Sequence, residues 1–590
     1  MQGEVALPVT AGGDEPFWFG RDGRAAFGWY HAPRSTPRGI GVALCPSLGH
    51  EMLCTHRAYR HLAERLAARG FAVLRFDYHG TGDSADGGAA GVEAWLDTID
   101  DAVCVLRDEG CGRVALFGWR GGATLAAAAA ARRGDVDAVA LVAPLATGSA
   151  FLRELRAMQS ARGSASDAKD GDEEAIGFVF ARETVADLGR IDLRALRAPP
   201  ARRTLLVPRD DIAGAEARIA ERWRALGGGV DVVRASGYAL LAADDPYVAE
   251  VPDAMWSAVT TWLEGLPARP AEARGRRISR APTTELDDLA ESTLRYGPAD
   301  RLFGILTEPR GRRDDVGVVV SNTGANSRVG PGRLGVALAR RIARAGHGVL
   351  RADLAGIGDS PPHDGAGENE LYADHSVDDV RAAIDALVAR GYRRIVAVGL
   401  CSGAYLSFKT ALADERVAAA VLMNPPVFEW TPGRKVERIP NRRPDSFRSM
   451  RYYRRRAFEL DTWRRALRGD VQARAIARVI ASRLALRGRG LAQRAAARVG
   501  RGEWLMSDLA RKFAGLARRD ARVLLLFHDE EPMLDEIESR LGGAMGWLAS
   551  RGLELVVVER GDHVFSPVAA RREAIERVAG FVERFARERR

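Results

Sequence analysis

The sequence predicts an α/β protein of two tandem domains, each a mainly parallel sheet covered by helices on both faces. Three observations lead there. The 590 residues, 46% of them apolar, can fill two large cores. Short apolar runs alternate with segments of helical period along the chain. The second half then repeats the first, segment by segment.

In the first half GIGVALCP (Gly39 to Pro46) reads as a buried strand, because a continuous apolar run bounded by turn residues suits a sheet covered on both faces. A polar loop, the helical pattern HRAYRHLAERLAARG, the strand FAVLRFD and the turn YHGTGDS follow. The second half answers with DVGVVVSNTG (Asp315 to Gly324), GRLGVALARRIARAG and HGVLRADLAGIGDS. Each half continues with a helix and a strand, VALFG or IVAVG, that enters a glycine-rich box. The boxes are FGWRGGATL (Phe117 to Leu125) and VGLCSGAYL (Val398 to Leu406), and a further strand follows each. At the front of each half, FWFGRDGRAAFGWYHAP and STLRYGPADRLFGILTEP alternate as antiparallel edge hairpins do. GLPARPAEARGRRISRAP, rich in Pro, Gly and Arg, reads as a linker. The expected division is a first domain at 1–266, a linker at 267–283 and a second domain at 284–590.

Charge is unevenly spread. The chain carries +9, yet Arg434 to Arg519 holds 25 Lys/Arg against 7 Asp/Glu, so the remainder is acidic. A single basic segment beside an acidic body argues against nucleic acid and for a local task. No apolar run reaches the roughly 18 residues that span a bilayer, and MQGEVALPVT does not start like a secretion signal. The five cysteines (Cys45, Cys54, Cys104, Cys111, Cys401) form no CxxC pair, as expected of reduced thiols in a cytoplasmic protein. His50 and His56 lack a third ligand nearby, so neither metal nor cofactor is implied. Asp83 and Asp359, in HGTGDS and AGIGDS, are expected to form turns; neither segment is a dinucleotide fingerprint.

A strand that enters Gly-x-nucleophile-x-Gly and then a helix resembles the nucleophile elbow of the α/β-hydrolase fold. The apex residue sits in a strained turn with strand and helix close by, where side chains would clash. Gly399, Gly403 and Ala404 meet that need, with Cys401 at the apex. Along most of their length both halves resemble hydrolase-like proteins of bacterial exosortase and exopolysaccharide loci. CPSLGHEMLCTHRAYRHLAERLAARGFAVLRFDYHGTGDS is similar to one branch, and NTGANSRVGPGRL, GLCSGA and GDHVFSP to another. Cysteine at the elbow also resembles dienelactone hydrolases and polyester synthases, over the box alone.

The resemblance implies a Cys-His-acid triad in the second half. A thiol at a helix N-terminus feels the positive end of the dipole, and a histidine beside it favours the thiolate further. His563 follows the strand LELVVVERGDHVFSP, in the chain order nucleophile, acid, base. The acid should follow RVLLLFHDEEPMLDE; the family's acid-Pro-x-Leu pattern points to Glu531, with Asp529 as competitor. Oxyanion donors would be the Ser402 N–H and one near Thr323 or Gly324. Ser402 is also a rival nucleophile, one place beyond the apex.

The first half fails the same test. Arg120 holds the apex and Tyr238 the histidine's place, although Asp210 and Asp211 stand where the acid belongs. Arg120 cannot serve as a nucleophile. It is expected either to bind an anion at a dead site or to pair with Asp210 or Asp211.

The basic insert, about 426–520, lies where this fold carries a lid, and its Ala, Val, Ile and Leu interleave with arginine at helical spacing. It suits a solvated face, the docking of an acidic carrier protein or anionic substrate over Cys401, or contact with an anionic membrane surface. The expectation is acyl transfer through an acyl-cysteine, by a thioesterase, esterase or acyltransferase acting on an acyl thioester or ester in a biosynthetic pathway. The alternative is a non-catalytic scaffold that binds acyl or glycan intermediates or a partner protein.

Overall fold

The computed structural model describes residues 13–588 except 22, 87–90, 163–170, 213, 244, 269–278, 312 and 431–506. By contact the chain divides into two compact units. One is Met1–Gly311 with Ala325–Val336 and Ala355–Asn369; the other is Arg312–Gly324, Ala337–Leu354 and Glu370–Arg590.

The first unit is built on β1 (Asp14–Phe19), β2 (Ala26–His31), β3 (Ile40–Cys45), β4 (Ala72–Phe76), β5 (Arg113–Trp119) and β6 (Ala138–Val142). A short hairpin, β7 (Glu173–Ala175) and β8 (Phe178–Phe180), precedes β9 (Arg203–Val207), β10 (Gly229–Val232) and β11 (Arg280–Ala281). The sheet order is β10-β9-β6-β5-β3-β4-β2-β1-β11, parallel from β10 to β4 and antiparallel beyond. Both faces are covered: Ala43, Leu116 and Leu141 belong to one core, Val42, Phe117 and Ala140 to the other. That explains why the central strands read as continuous apolar runs.

The last residues of the expected linker are not linker. Arg280 and Ala281 extend the sheet as β11, antiparallel to β1. The hairpin strands β12 (Thr283–Leu286), β13 (Leu289–Tyr296) and β14 (Leu302–Pro309) also count with the first unit. The reason is aromatic packing: Phe303 and Ile305 join Trp18, Phe27 and Trp29 in one cluster, with the Trp29 and Phe303 rings 4.7 Å apart. Division by contact therefore falls later in the chain than division by repeat. Asp83 and Asp359, expected as turn formers, do more in this unit. Each lies 2.8 Å from the Arg328 guanidinium, and Asp359 also accepts from Arg75 at 2.9 Å.

The second unit holds β15 (Val316–Val320), β16 (Gly348–Asp353), β17 (Arg394–Leu400), β18 (Val417–Met423), β19 (Arg522–His528) and β20 (Leu553–Val558). These are parallel, in the order β16-β15-β17-β18-β19-β20. The first unit has the same order in β4-β3-β5-β6-β9-β10, so the sequence repeat is a repeat of topology.

Most of the expected lid, 431–506, lies outside the described residues. At its end, Ser507 caps the helix Asp508–Arg518 by accepting the Ala510 N–H at 3.1 Å. Phe513 on that helix packs against Phe408 and Phe428, and Lys512 reaches Glu429 at 2.7 Å.

Candidate functional site

Cys401 leaves the end of β17 and caps the helix Ser402–Ala413, at φ 58° and ψ −120°. The left-handed φ is strained for a residue with a side chain and is held by its surroundings. Its N–H donates to Met423 O on the neighbouring strand at 3.0 Å, and its carbonyl accepts from Ala404 at 3.0 Å. The glycines are steric necessities. A Cβ on Gly399 would lie 2.1 Å from the Gly403 backbone, and one on Gly403 would lie 2.6 Å from Asn322 O.

His563 follows β20 in a tight turn tied by Asp562, whose carboxylate accepts from Val564 N at 3.2 Å and Ser566 N at 2.7 Å. Its Nδ1 lies 2.8 Å from Glu531 Oε2. Glu531 stands at the start of the helix Pro532–Leu541. The carboxylate on His563 thus comes from Glu531; Asp529, the competitor, is still tied to the sheet through its N–H, which donates to Val558 O at 3.0 Å. Cys401, His563 and Glu531 are all buried.

The electrostatics follow from that packing. Burial pushes the His563 imidazole down, but the neighbouring Cys401 and Glu531 side chains, through charge and hydrogen bonding, outweigh it and hold the ring well above its usual 6.5. Burial alone would raise Glu531; the positive charge and hydrogen bond of His563, with a hydrogen bond from His528, bring it down from 4.5 to about 2. His563 Nε2 is buried and makes no well-aligned hydrogen bond among the described residues, while Cys401 acts on the ring through charge and side-chain contact.

The oxyanion expectation is corrected in one place. The Gly324 N–H is not open to a substrate oxygen, because it donates to Ser402 Oγ at 2.9 Å. Gly324 has φ 56°, which turns its N–H toward the elbow helix rather than leaving it unfilled. The same bond ties down the Ser402 hydroxyl, which weighs against Ser402 as nucleophile. The Ser402 N–H, in the first turn, has no intrahelical acceptor. Thr323 is buried in the loop after β15, beside Asn322, whose amide is locked between Asp353 Oδ1 and Leu354 N at 2.9 and 2.7 Å.

Sequence reasoning missed two residues. Asn424, at φ 41°, donates from Nδ2 to His563 O at 2.9 Å and accepts the His528 N–H at 2.9 Å, so one amide joins the loops that carry base and acid. His528 Nε2 lies 3.1 Å from Glu531 Oε2. A signal was present in the asparagine that ends a strand before two prolines.

In the first unit Arg120 takes the elbow conformation, at φ 49° and ψ −115°, and is buried. It pairs with neither Asp210 nor Asp211. Its Nε donates to Glu51 Oε1 at 2.6 Å, its Nη1 to the Tyr238 hydroxyl at 2.5 Å and its Nη2 to Glu154. Asp210 instead accepts from Gly237 N at 2.9 Å, and Asp211 pairs with Arg209 at 2.6 Å. The physical reason is position: Asp210 and Asp211 are held at the loop after β9, whereas Glu51 comes from the helix after β3 and meets the buried guanidinium. Arg120 is therefore committed to internal carboxylates rather than to an external anion.

Among the described residues no helix is long and apolar enough to cross a membrane. A family model described as serine aminopeptidase, S33 matches residues 48–166, and one described as alpha/beta hydrolase family matches residues 329–578, a span that includes Cys401, Glu531 and His563. No curated protein matches. Among solved structures the chain is similar to Est1E from Butyrivibrio proteoclasticus, at 16% identity and TM-score 0.32, over 42% of this chain and 97% of that one. It is similar also to alpha/beta hydrolase domain-containing protein 10 from mouse, at 18% identity and TM-score 0.28, again over 42% and 97%. On the two family matches and the repeated topology, the chain carries the α/β-hydrolase fold in two regions, each with a mainly parallel sheet flanked by helices.

Proposed function

We propose that the second half performs acyl transfer with Cys401 as nucleophile, His563 as base and Glu531 as its orienting carboxylate, while the first half is catalytically inert. The observation that supports this most is the His563 ring, bonded at Nδ1 to Glu531 at 2.8 Å and acted on by Cys401. In the first step the Cys401 thiolate attacks an acyl carbonyl carbon, a C–S bond forms and the carbonyl π pair moves to oxygen. The Ser402 N–H faces that oxygen; such a donor contributes about 3 kcal/mol to the transition state. Collapse breaks the bond to the leaving group, which takes the proton held on His563. Water, an amine or an alcohol then gives its proton to His563 and attacks the acyl-cysteine, restoring the thiolate.

A thiol nucleophile suits thioester donors, because exchange of one thioester for another is nearly balanced in energy. Thioesterase or acyltransferase work in a biosynthetic pathway fits this and fits the resemblance to exopolysaccharide-locus hydrolases. The basic segment Arg434 to Arg519, by its charge, suits an acidic carrier or anionic acyl donor. The second reading is the non-catalytic scaffold, favoured by one observation: Cys401 is only 3% exposed.

The test is the pH dependence of Cys401 alkylation, followed by intact mass, in the parent and in His563→Ala. Fast labelling near neutral pH that His563→Ala slows supports the nucleophile, and incubation with acyl thioesters should then leave an acyl mass on Cys401. Labelling at the rate of an ordinary thiol, indifferent to His563, favours the scaffold.

A further inference from the structure

Glu531 Oε2 is shared. It lies 2.8 Å from His563 Nδ1 and 3.1 Å from His528 Nε2, and both rings are buried. A catalytic base needs one orienting carboxylate, so a second buried histidine spent on the same oxygen asks for a physical account.

The hydrogen bonds assign the tautomer of His528. Its Nδ1 accepts the Glu530 backbone N–H at 3.2 Å, so that nitrogen carries no proton. The ring proton is then on Nε2, where it is donated to Glu531. That donor orients the carboxylate from the side opposite the backbone N–H held by Nδ1. The backbone is held as well, since the His528 N–H donates to Asn424 Oδ1 at 2.9 Å and Asn424 Nδ2 holds the His563 carbonyl at 2.9 Å.

We infer that His528 is a positioning residue for the proposed reaction: its Nε2–H fixes the Glu531 carboxylate against His563 Nδ1 and so keeps His563 Nε2 directed to Cys401. A carboxylate turns about its last bond, and one donor leaves that turn open. Two donors from different elements, meeting at one oxygen, leave a single orientation. The inference rests on the reading of Cys401, His563 and Glu531 as the reacting set.

The test uses the full chain with 13C-labelled histidine rings and two variants. His528→Phe fills the space without a donor; His528→Gln supplies an amide N–H with less volume. Two readouts are taken: the His563 titration by NMR, which needs no thiol reactivity, and Cys401 alkylation against pH. In His528→Phe the His563 midpoint should fall by about one pH unit and labelling at pH 7 should slow about tenfold, equivalent to about 1.4 kcal/mol. His528→Gln should stay near the parent in both. An unchanged His563 midpoint in His528→Phe overturns the inference, as does a parental His528→Phe beside an impaired His528→Gln, which would make the ring a space filler. If His528→Phe does not fold, His528→Gln decides alone: parental values support the inference and a lowered midpoint overturns it. Should the parent's Cys401 react as an ordinary thiol, the nucleophile reading fails while the His563 titration still decides the role of His528.

Discussion

Replacing Arg120 by methionine tests what the first half does with its elbow. Methionine keeps the bulk and removes the charge. Three partners are affected unequally. Glu154 is 41% exposed at its side chain, so its bridge to Arg120 is worth about 0–1 kcal/mol. Loss of the Tyr238 hydroxyl contact costs about 1 kcal/mol. Glu51 is the large term: burial already raises its carboxyl, and the Arg120 charge is what draws it back down. Without Arg120 a buried carboxylate stands uncompensated, which typically costs about 3–5 kcal/mol. Glu51 escapes part of that by binding a proton, and this sets the sign of the pH effect. Its folded pKa rises further above its unfolded value, so the stability of Arg120→Met is best preserved below the ordinary glutamate range and is lost as pH increases. The expected deficit against the parent is larger at pH 8 than at pH 5. Trp119, whose ring lies 5.6 Å from the Arg120 guanidinium, makes tryptophan fluorescence a suitable probe of denaturant unfolding. Adding Glu51→Gln should recover most of the loss at pH 8. A deficit equal at both pH values, or one that Glu51→Gln leaves untouched, would refute the charge argument and point to packing.

The remaining predictions concern the second half. Gly403→Ala places a Cβ 2.6 Å from Asn322 O, a backbone atom that cannot readily give way, and should lower stability by about 3 kcal/mol or more, read from soluble yield and thermal unfolding. Ser402→Ala removes only the Oγ acceptor of Gly324 N and should cost about 1 kcal/mol in unfolding while Cys401 alkylates within about twofold of the parent; a collapse in labelling would reinstate the serine as a participant. Glu531 is held at about 2 against an ordinary 4.5, a difference worth about 3 kcal/mol of stability. Because the folded pKa is depressed, that stability is present above the unfolded pKa and lost as pH falls toward 2, so the deficit of Glu531→Gln should narrow below about pH 4.5 in acid titrations of unfolding.

What could be read from the sequence was what local geometry dictates. Gly399 and Gly403 announce the elbow because a side chain at either meets backbone, and His563 is marked by a Gly-Asp turn at the end of a strand. The acid was harder. Asp529, Glu530 and Glu531 are consecutive, and only the end of β19 separates them: Asp529 still donates to Val558 across the sheet, while Glu531 already begins a helix. The partners of Arg120 were out of reach for another reason. Glu51 and Glu154 stand 69 and 34 residues away, and a charge at such a distance looks like surface until the chain folds. His528 and Asn424 act through single hydrogen bonds at strand ends, which leave no periodic trace; only the two prolines after Asn424 marked its place.

The two elbows also limit what strain can be taken to mean. Backbone angles at Arg120 and Cys401 differ by no more than 9° in φ and 5° in ψ. Each apex N–H is tied to the neighbouring strand, to Val142 O at 2.9 Å in one case and Met423 O at 3.0 Å in the other. Gly118 and Gly122 are as tightly confined as their counterparts, with a Cβ meeting backbone at 2.5 and 2.4 Å. A left-handed apex costs about 1–3 kcal/mol, and in the first unit that cost is carried with no nucleophile present. Strain at the apex therefore belongs to the strand-to-helix connection, which the close packing of glycine on backbone imposes whatever the apex side chain is. What separates the halves is the second element, the residue after the last strand of each parallel set: Tyr238 turns its hydroxyl to a committed guanidinium, whereas His563 gives Nδ1 to the Glu531 carboxylate and is acted on electrostatically by Cys401. Reactivity should accordingly follow the pairing of apex and histidine, and substituting cysteine for Arg120 alone should yield a strained but unactivated thiol.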